Sequence, residues 1–77
     1  MLIVTGVITN NSVEATARMA GNLGFATIVV SNATATFARP DFNGVLRSAE
    51  EVHAMSLANL KDEYAAIMTT QEVLLAF

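Results

Sequence analysis

The fold is decided by the opening stretch, Leu2-Ile3-Val4-Thr5-Gly6-Val7-Ile8-Thr9-Asn10-Asn11-Ser12-Val13-Glu14-Ala15-Thr16-Ala17-Arg18. A short apolar, β-branched run leads to Gly6 and then to polar residues that can cap a helix, after which small or apolar side chains follow at helical spacing. This order predicts a strand, a turn and a helix. We expect Ser12 at the helix N-terminus, where free N–H groups and the helix dipole favour a developing negative charge. A nucleophile would be placed there.

The rest of the chain continues the same alternation of strand and helix. Gly24 is placed for the left-handed residue that ends the first helix, and Ser48 with Glu51 fits a capping box. Thr69 or Thr70 with Glu72 caps a last short helix. The predicted elements are a strand over residues 2–7, a helix over 12–22, a strand over 25–30, a loop over 31–47, a helix over 49–64, a strand over 65–69 and a helix ending near Ala76.

This β-α-β-α-β-α order predicts an α/β fold, with three parallel strands forming half of a doubly wound sheet. The first two strands are apolar on both faces, as parallel strands covered by helices are. Each crossover between neighbouring parallel strands should be right-handed. Residues 1–77 make a single partial domain.

The composition predicts self-association rather than binding to charged polymers. The 77 residues are 53% hydrophobic and only 14% charged, so one small core cannot hide all the apolar surface. The net charge of −3, with four basic residues, gives no stripe for phosphates and no attraction to anionic membranes. We therefore expect neither a nucleic-acid nor a membrane partner.

The residues that usually bind metals or form cross-links are scarce. The chain has no cysteine and one histidine, so neither a disulfide framework nor a zinc cluster is predicted, and no cofactor is expected. The sequence shows neither a signal peptide nor an apolar run of the roughly 20 residues that a membrane span needs, which predicts a cytoplasmic protein. A strand that begins directly after Met1 is expected to lie inside a larger fold.

Residues 6–18 resemble the signature G-V-x-T-N-x-C-V-x-x-T-A of the isochorismatase-like cysteine hydrolases, the family that includes nicotinamidases. Later segments resemble later parts of that family in the same order. They are Asn32-Ala33-Thr34-Ala35-Thr36-Phe37, Ser48-Ala49-Glu50-Glu51-Val52-His53, Ser56-Leu57-Ala58-Asn59-Leu60 and Met68-Thr69-Thr70-Gln71-Glu72-Val73-Leu74. The resemblance covers essentially the whole chain but only the C-terminal half of a usual member. The position of the family's nucleophilic cysteine is Ser12.

The resemblance implies a three-layer α/β/α fold in which the predicted strands are the fourth, fifth and sixth of a sheet ordered 3-2-1-4-5-6. The strand over residues 2–7 would then lie at the centre of a complete sheet. In this chain it has a bare apolar edge, which favours pairing with another strand. We expect a homo-oligomer formed through Leu2 to Val7, with two copies pairing antiparallel into six strands, or pairing with the missing N-terminal half.

The chemistry that the resemblance implies is attack of a thiolate at position 12 on an amide or imide carbonyl. An oxyanion hole would come from the N–H groups of Ile8 and Ser12, beside a cis peptide bond between Val7 and Ile8. The neighbouring residues Thr9, Asn10 and Asn11 would contact the substrate. The aspartate and lysine that complete the family's triad belong to the half that this chain lacks.

Serine at position 12 weakens this chemistry, because an alcohol stays protonated where a thiol ionises. No general base is evident, since Glu14 points elsewhere on its helix and His53 lies on another helix. We therefore expect the chain to be inactive alone, although family members that hydrolyse vinyl ethers can dispense with the cysteine. The alternatives are a non-catalytic, self-associating module, or a small-anion binder at the helix N-terminus over residues 9–13.

Several other residues are also considered. His53 is expected to be packed or hydrogen-bonded rather than a ligand, and Met55 and Met68 to fill the core. Asn32 lies at the carboxyl edge of the sheet, where such folds place their sites and where the family often has an acid. Arg39 and Asp41, which flank Pro40 in the long loop, belong either to a lid or interface or to a solvated turn, and the solvated turn is expected.

Overall fold

The computed structural model describes all of residues 1–77. Its strands are β1 (Leu2–Val7), β2 (Thr27–Ala35), β3 (Arg39–Pro40), β4 (Leu46–Arg47) and β5 (Ala66–Met68). Its α-helices are α1 (Glu14–Asn22), α2 (Ala49–Leu60) and α3 (Thr70–Ala76), and a π-helical turn over Thr9–Val13 precedes α1. No helix combines the length and the apolar composition needed to cross a bilayer.

The main sheet has the order β1-β2-β5, and both pairings are parallel. β2 is therefore the central strand, whereas β1 has a neighbour on one side only. The pairing shifts register between Val4 and Gly6, because β2 passes from Val29 to Thr34 opposite those two residues. The predicted α/β class with three parallel strands is confirmed.

Gly24 and both predicted capping boxes are found where the local sequence placed them. Gly24 has a φ of 87°, directly after the residue that caps α1. Ser48 accepts a hydrogen bond from the N–H of Glu51, and the Glu51 carboxylate accepts one from the N–H of Ser48. Thr69 and Glu72 form the same reciprocal pair at the start of α3. Both capping boxes are confirmed.

The predicted ends of the second strand and of the second helix are wrong. β2 continues to Ala35 rather than ending at Val30, because Thr34 and Ala35 still pair with β1; residues 31–47 also contain the β3–β4 hairpin. α2 ends at Leu60 rather than Tyr64, because Lys61 is extended and Asp62 has a φ of 65°. A residue with a positive φ cannot continue a right-handed helix.

The core is small and lies where α1 and α2 meet the sheet. Its buried members are Val13, Ala17, Val29, Leu60 and Ala65. The prediction that Met55 fills the core is wrong, because this residue is 64% exposed, and Met68 is only half-buried. Large apolar side chains also remain exposed on β1 and α3, including Ile3, Val7, Leu74, Leu75 and Phe77.

Candidate functional site in the turn between β1 and α1

The connection between β1 and α1 is a tight helical turn that begins earlier than the sequence predicts. The peptide bond between Val7 and Ile8 is cis, the isomer that the resemblance implies. Helical structure starts at Thr9, and neither Ile8 nor Val13 provides a side-chain cap. Ser12 therefore lies inside the π-helical turn rather than at the first residue of the helix.

The Ser12 hydroxyl points back across the turn and donates to the carbonyl oxygen of Val7 over 2.8 Å. The residue is exposed to solvent. The hydroxyl hydrogen is therefore shared with a carbonyl oxygen, which is too weak a base to remove it. An alcohol in this setting stays protonated.

The backbone of the turn offers a free hydrogen-bond donor beside Ser12. The N–H of Ile8 donates to no acceptor in the protein, whereas the Ile8 carbonyl accepts from the N–H groups of Asn11 and Val13 at 3.2 and 3.3 Å. A free backbone N–H at the start of a helical turn is the kind of donor that stabilises an oxyanion. Ile8 can therefore supply one of the two donors that the resemblance implies.

Thr9 is wholly buried and is held from two sides by α2. Its hydroxyl lies 2.8 Å from Nδ1 of His53, and its carbonyl oxygen lies 3.1 Å from Oγ of Ser56. The second ring nitrogen of His53, Nε2, donates to the carbonyl oxygen of Ser31 over 2.9 Å. Thr9 thus anchors the turn to α2, and its buried side chain is not open to a substrate.

The two asparagines of the turn differ in their surroundings. The side-chain oxygen of Asn10 accepts a hydrogen bond from the hydroxyl of Thr36, just after β2. Asn11 is exposed and its side chain makes no hydrogen bond. Of the three residues expected to contact substrate, Asn11 has the side chain most free to do so.

No carboxylate or imidazole is hydrogen-bonded to Ser12. Glu14 is engaged elsewhere, because its carboxylate accepts from Ser56 at 2.7 Å and pairs with Arg18 at 3.5 Å. His53 has both ring nitrogens occupied. No group of three or more His, Cys, Asp or Glu residues is arranged to hold a metal ion. The turn has a free backbone donor at Ile8, but no base is hydrogen-bonded to Ser12.

A second polar cluster lies at the β3–β4 hairpin. The Asp41 carboxylate accepts from the N–H groups of Asn43 and Val45 and pairs with Arg47 at 2.9 Å. The hydrogen bond from Val45, helped by Arg47, lowers the pKa of Asp41 below its ordinary value of 3.8. Arg47 also lies 3.8 Å from Glu51. These bonds hold the segment as an ordered turn.

A cleft of about 700 Å³ runs between this hairpin and α2. Asn10 and Glu14 reach it from the β1–α1 turn, but Ser12 does not line it. The cleft and the Ser12 hydroxyl are therefore separate features of the surface. Asn32 contacts the start of α3 instead. Its side-chain oxygen accepts hydrogen bonds from the N–H and the hydroxyl of Thr70, at 2.8 and 2.9 Å, and so caps α3.

Sequence reasoning missed the contacts of His53 and Ser56 with Thr9. They join residues 44 and 47 positions apart, which no local pattern reports. The only local signal is that His53 and Ser56 are three residues apart and so share one face of α2. Polar side chains at that spacing, on a face that packs inward, indicate a partner across the fold.

Comparisons with known proteins agree with this fold. The family model for the isochorismatase domain matches residues 1–72. The uncharacterized isochorismatase family protein YrdC of Bacillus subtilis is 44% identical over 73 residues, which is 95% of this chain and 39% of that protein. The chain therefore spans about two fifths of the length of this relative.

Solved structures of the family match over the same range. An isochorismatase-family protein from Chromobacterium violaceum has a TM-score of 0.94 and 54% identity, over 96% of this chain and 38% of that one. A second, from Oleispira antarctica, has a TM-score of 0.89 and 30% identity, over 95% of this chain and 38% of that one. The 77-residue chain belongs to the isochorismatase family.

Proposed function

We propose that these residues are the C-terminal part of an isochorismatase-like hydrolase that cleaves C–N bonds of amides or imides. In this assignment the β1–α1 turn carries the nucleophile position at Ser12 and an oxyanion donor at Ile8. The observation that supports it most directly is the free N–H of Ile8 beside a side chain at position 12 that faces the same turn. Family membership supports the reaction class.

The reaction needs groups that these residues do not supply. A thiolate at position 12 would attack the carbonyl carbon, the C–N bond would break as an acid protonates the leaving nitrogen, and water would hydrolyse the thioester to regenerate the thiol. Ser12 lacks a base, because Glu14 and His53 are both engaged elsewhere. We therefore propose that the 77 residues are inactive alone, with Ser12 standing where relatives have cysteine and with the acid and the base supplied by a further segment.

Thiol reactivity tests the nucleophile position without requiring turnover. In the Ser12→Cys variant we expect iodoacetamide to alkylate the thiol with a pKa below the ~8.5 of a free cysteine, because the helical turn favours the thiolate. Ala58→Cys places a control thiol on the exposed side of α2. Equal pKa values for the two thiols would argue against position 12 as the nucleophile site.

Amide hydrolysis tests the need for a further segment. We expect no turnover of nicotinamide or simple imides by the unmodified chain or by Ser12→Cys alone. Adding the N-terminal part of the Bacillus subtilis relative to Ser12→Cys should produce turnover, and adding it to Ser12→Ala should not. Turnover by the unmodified 77 residues would overturn the proposed inactivity.

A second candidate function is a self-associating, non-catalytic module, and the exposed edge of β1 favours it. The N–H of Leu2 donates to Ala26 next to β2, so in a parallel ladder the N–H of Ile3 faces the opposite, unpaired side. Leu2, Ile3 and Val7 are also exposed. Two copies related by a two-fold axis could pair these edges antiparallel and make a continuous six-stranded sheet.

One substitution can test pairing through the edge of β1 while leaving the fold of the monomer intact. Ile3→Pro removes the outward N–H without removing a bond to β2, and proline is tolerated on edge strands. Light scattering after size exclusion should show a dimer for the unmodified chain and for Ile3→Val, and a folded monomer for Ile3→Pro. A dimer that survives Ile3→Pro would exclude pairing through this edge.

A further inference from the structure

Thr9 is the point at which the candidate site is attached to the rest of the protein. Its side chain is fully buried, and α2 contacts both its hydroxyl and its carbonyl oxygen. The two residues involved, His53 and Ser56, are three positions apart on one face of α2. Thr9 directly follows Ile8, whose N–H is the free donor of the turn.

The hydrogen bonds of His53 define its tautomer. A carbonyl oxygen can only accept, so the hydrogen toward Ser31 must be on Nε2. In the neutral ring Nδ1 is then an acceptor, and the Thr9 hydroxyl donates to it over 2.8 Å. The chain of bonds therefore runs from Thr9 through the imidazole to the carbonyl of Ser31 on β2.

Ser56, about one helical turn after His53, makes the second contact between α2 and Thr9. Its single hydroxyl hydrogen lies between the carbonyl oxygen of Thr9, at 3.1 Å, and the Glu14 carboxylate, at 2.7 Å. Ser56 is 2% exposed, so water does not compete freely for these bonds. It joins the start of the π-helical turn to the first residue of α1.

We infer that His53 is a positioning residue for the proposed nucleophile and oxyanion site, acting through the Thr9 hydroxyl. The inference rests on the proposed function for its chemistry and on the Thr9–His53–Ser31 bonds for its structure. Because Thr9 is next to Ile8 and opens the turn that contains Ser12, a change in its orientation moves both the oxyanion donor and the nucleophile position. His53 is not the base, since its Nδ1 lone pair is already used by Thr9.

Two substitutions at His53 separate its two hydrogen bonds. His53→Asn places a carbonyl oxygen near the Nδ1 position and can accept from Thr9, but it loses the bond to Ser31. His53→Gln places an amide nitrogen near the Nε2 position and can donate to Ser31, but it loses the bond to Thr9. Thr9→Val removes the hydroxyl at similar volume, and Thr9→Ser keeps it.

In the Ser12→Cys background, the readout is the pH profile of alkylation by iodoacetamide. We expect His53→Gln and Thr9→Val to slow alkylation by about fivefold each, the effect of losing one typical hydrogen bond. The two together should slow it no further, because they break the same contact. His53→Asn and Thr9→Ser should stay within about twofold of the background.

Unchanged rates and pH profiles in His53→Gln and Thr9→Val, with native circular dichroism, would overturn the inference. Additive effects of the two substitutions would overturn it as well. If His53→Gln or Thr9→Val fails to fold, the alkylation rates of Thr9→Ser and His53→Asn decide between the two roles. A purely space-filling role for His53 predicts slow alkylation in His53→Asn, because asparagine is smaller than histidine, whereas the positioning role predicts a rate near that of the background.

Failure of the proposed function is distinguishable from failure of this inference. If the thiol of Ser12→Cys reacts no faster than that of Ala58→Cys, the nucleophile position is wrong. Hydrogen exchange at the Val13 amide, which donates to the Ile8 carbonyl oxygen within the turn, then tests the positioning role alone in chains that keep Ser12. We expect exchange to rise about fivefold in His53→Gln but not in His53→Asn, and equal exchange in both variants would refute the role.

Discussion

Ser12 Oγ and the carbonyl oxygen of Val7 are 2.8 Å apart, and the hydroxyl donates to the carbonyl across the cis peptide bond. The Ser12 side chain therefore joins the end of β1 to the π-helical turn. A thiol is a much weaker hydrogen-bond donor than an alcohol. A cysteine at position 12 would therefore hold the Val7 carbonyl less strongly than Ser12 does.

Removing the hydrogen bond between Ser12 and Val7 should lower the stability by a small, measurable amount. We expect Ser12→Ala to lower the free energy of unfolding by about 0.5–1 kcal/mol, because the hydrogen bond is exposed to water. Urea denaturation measures the change. Asn11→Ala removes an exposed side chain without a hydrogen bond and should stay within about 0.5 kcal/mol of the parent. A larger loss for Asn11→Ala would contradict the structure of the turn.

Gly21 lies at a close approach of α1 to the segment that follows α2. A Cβ built at this position would lie 2.9 Å from the carbonyl oxygen and 3.2 Å from the Cα of Tyr64. We expect Gly21→Ala to destabilise the fold by about 1–3 kcal/mol, although alanine is the better helix former. Thermal unfolding measures the change.

The neighbouring residue provides the control for this substitution. Asn22→Ala makes the same kind of change at the exposed last residue of α1 and should be neutral or slightly stabilising. If Gly21→Ala also proved neutral, the contact between α1 and Tyr64 would have to be looser than the structure has it.

The elements that local sequence determines were predictable, and those set by distant contacts were not. β1 matches its predicted bounds, Leu2–Val7, because a β-branched run ends at a sharp turn. The capping boxes at Ser48 and Thr69 follow from residues three apart. β2 runs on to Ala35 only because β1 pairs with it there, through an irregular register that the sequence does not announce.

The candidate site likewise has parts that the local sequence predicts and parts that depend on distant contacts. Position 12 and the backbone donor at Ile8 could be proposed from a contiguous motif, and the structure places both in one turn. The attachment of Thr9 to His53 depends on how α2 packs against the turn, which spacing alone does not give. Asn32 was considered for the site, but its oxygen is used to cap α3.

The bond between Asn32 and α3 predicts the effect of an acid at this position. Asn32→Asp keeps the acceptor for the N–H and hydroxyl of Thr70 and adds a negative charge at a helix N-terminus. We expect it to raise the free energy of unfolding by about 0.3–1 kcal/mol at pH 7 and low salt. Asn32→Ala should lower it by about 1 kcal/mol. A destabilising Asn32→Asp would show that the carboxylate meets repulsion near Glu72.

Acid should weaken the hairpin through Asp41. The N–H of Val45 and the Arg47 guanidinium favour the carboxylate, so the pKa of Asp41 is lower in the folded chain than its ordinary 3.8. A group with a lowered pKa in the folded state stabilises that state above its unfolded pKa and loses this effect as pH falls through the folded value. Hydrogen bonds from Ser48 lower the pKa of Glu51 from its ordinary 4.5 and add to the same trend.

Stability should therefore be flat near neutral pH and fall from about pH 4.5 downward, in the range where these two carboxylates gain protons. Asp41→Asn keeps an acceptor for Val45 but cannot titrate, so its loss of stability between pH 5 and pH 2 should be shallower than that of the parent, as measured by urea unfolding across this range. Glu50→Gln, which removes an equal charge on α2 outside these hydrogen bonds, serves as the control. If Asp41→Asn and Glu50→Gln flattened the acid slope equally, general charge rather than the Asp41 contacts would be the cause.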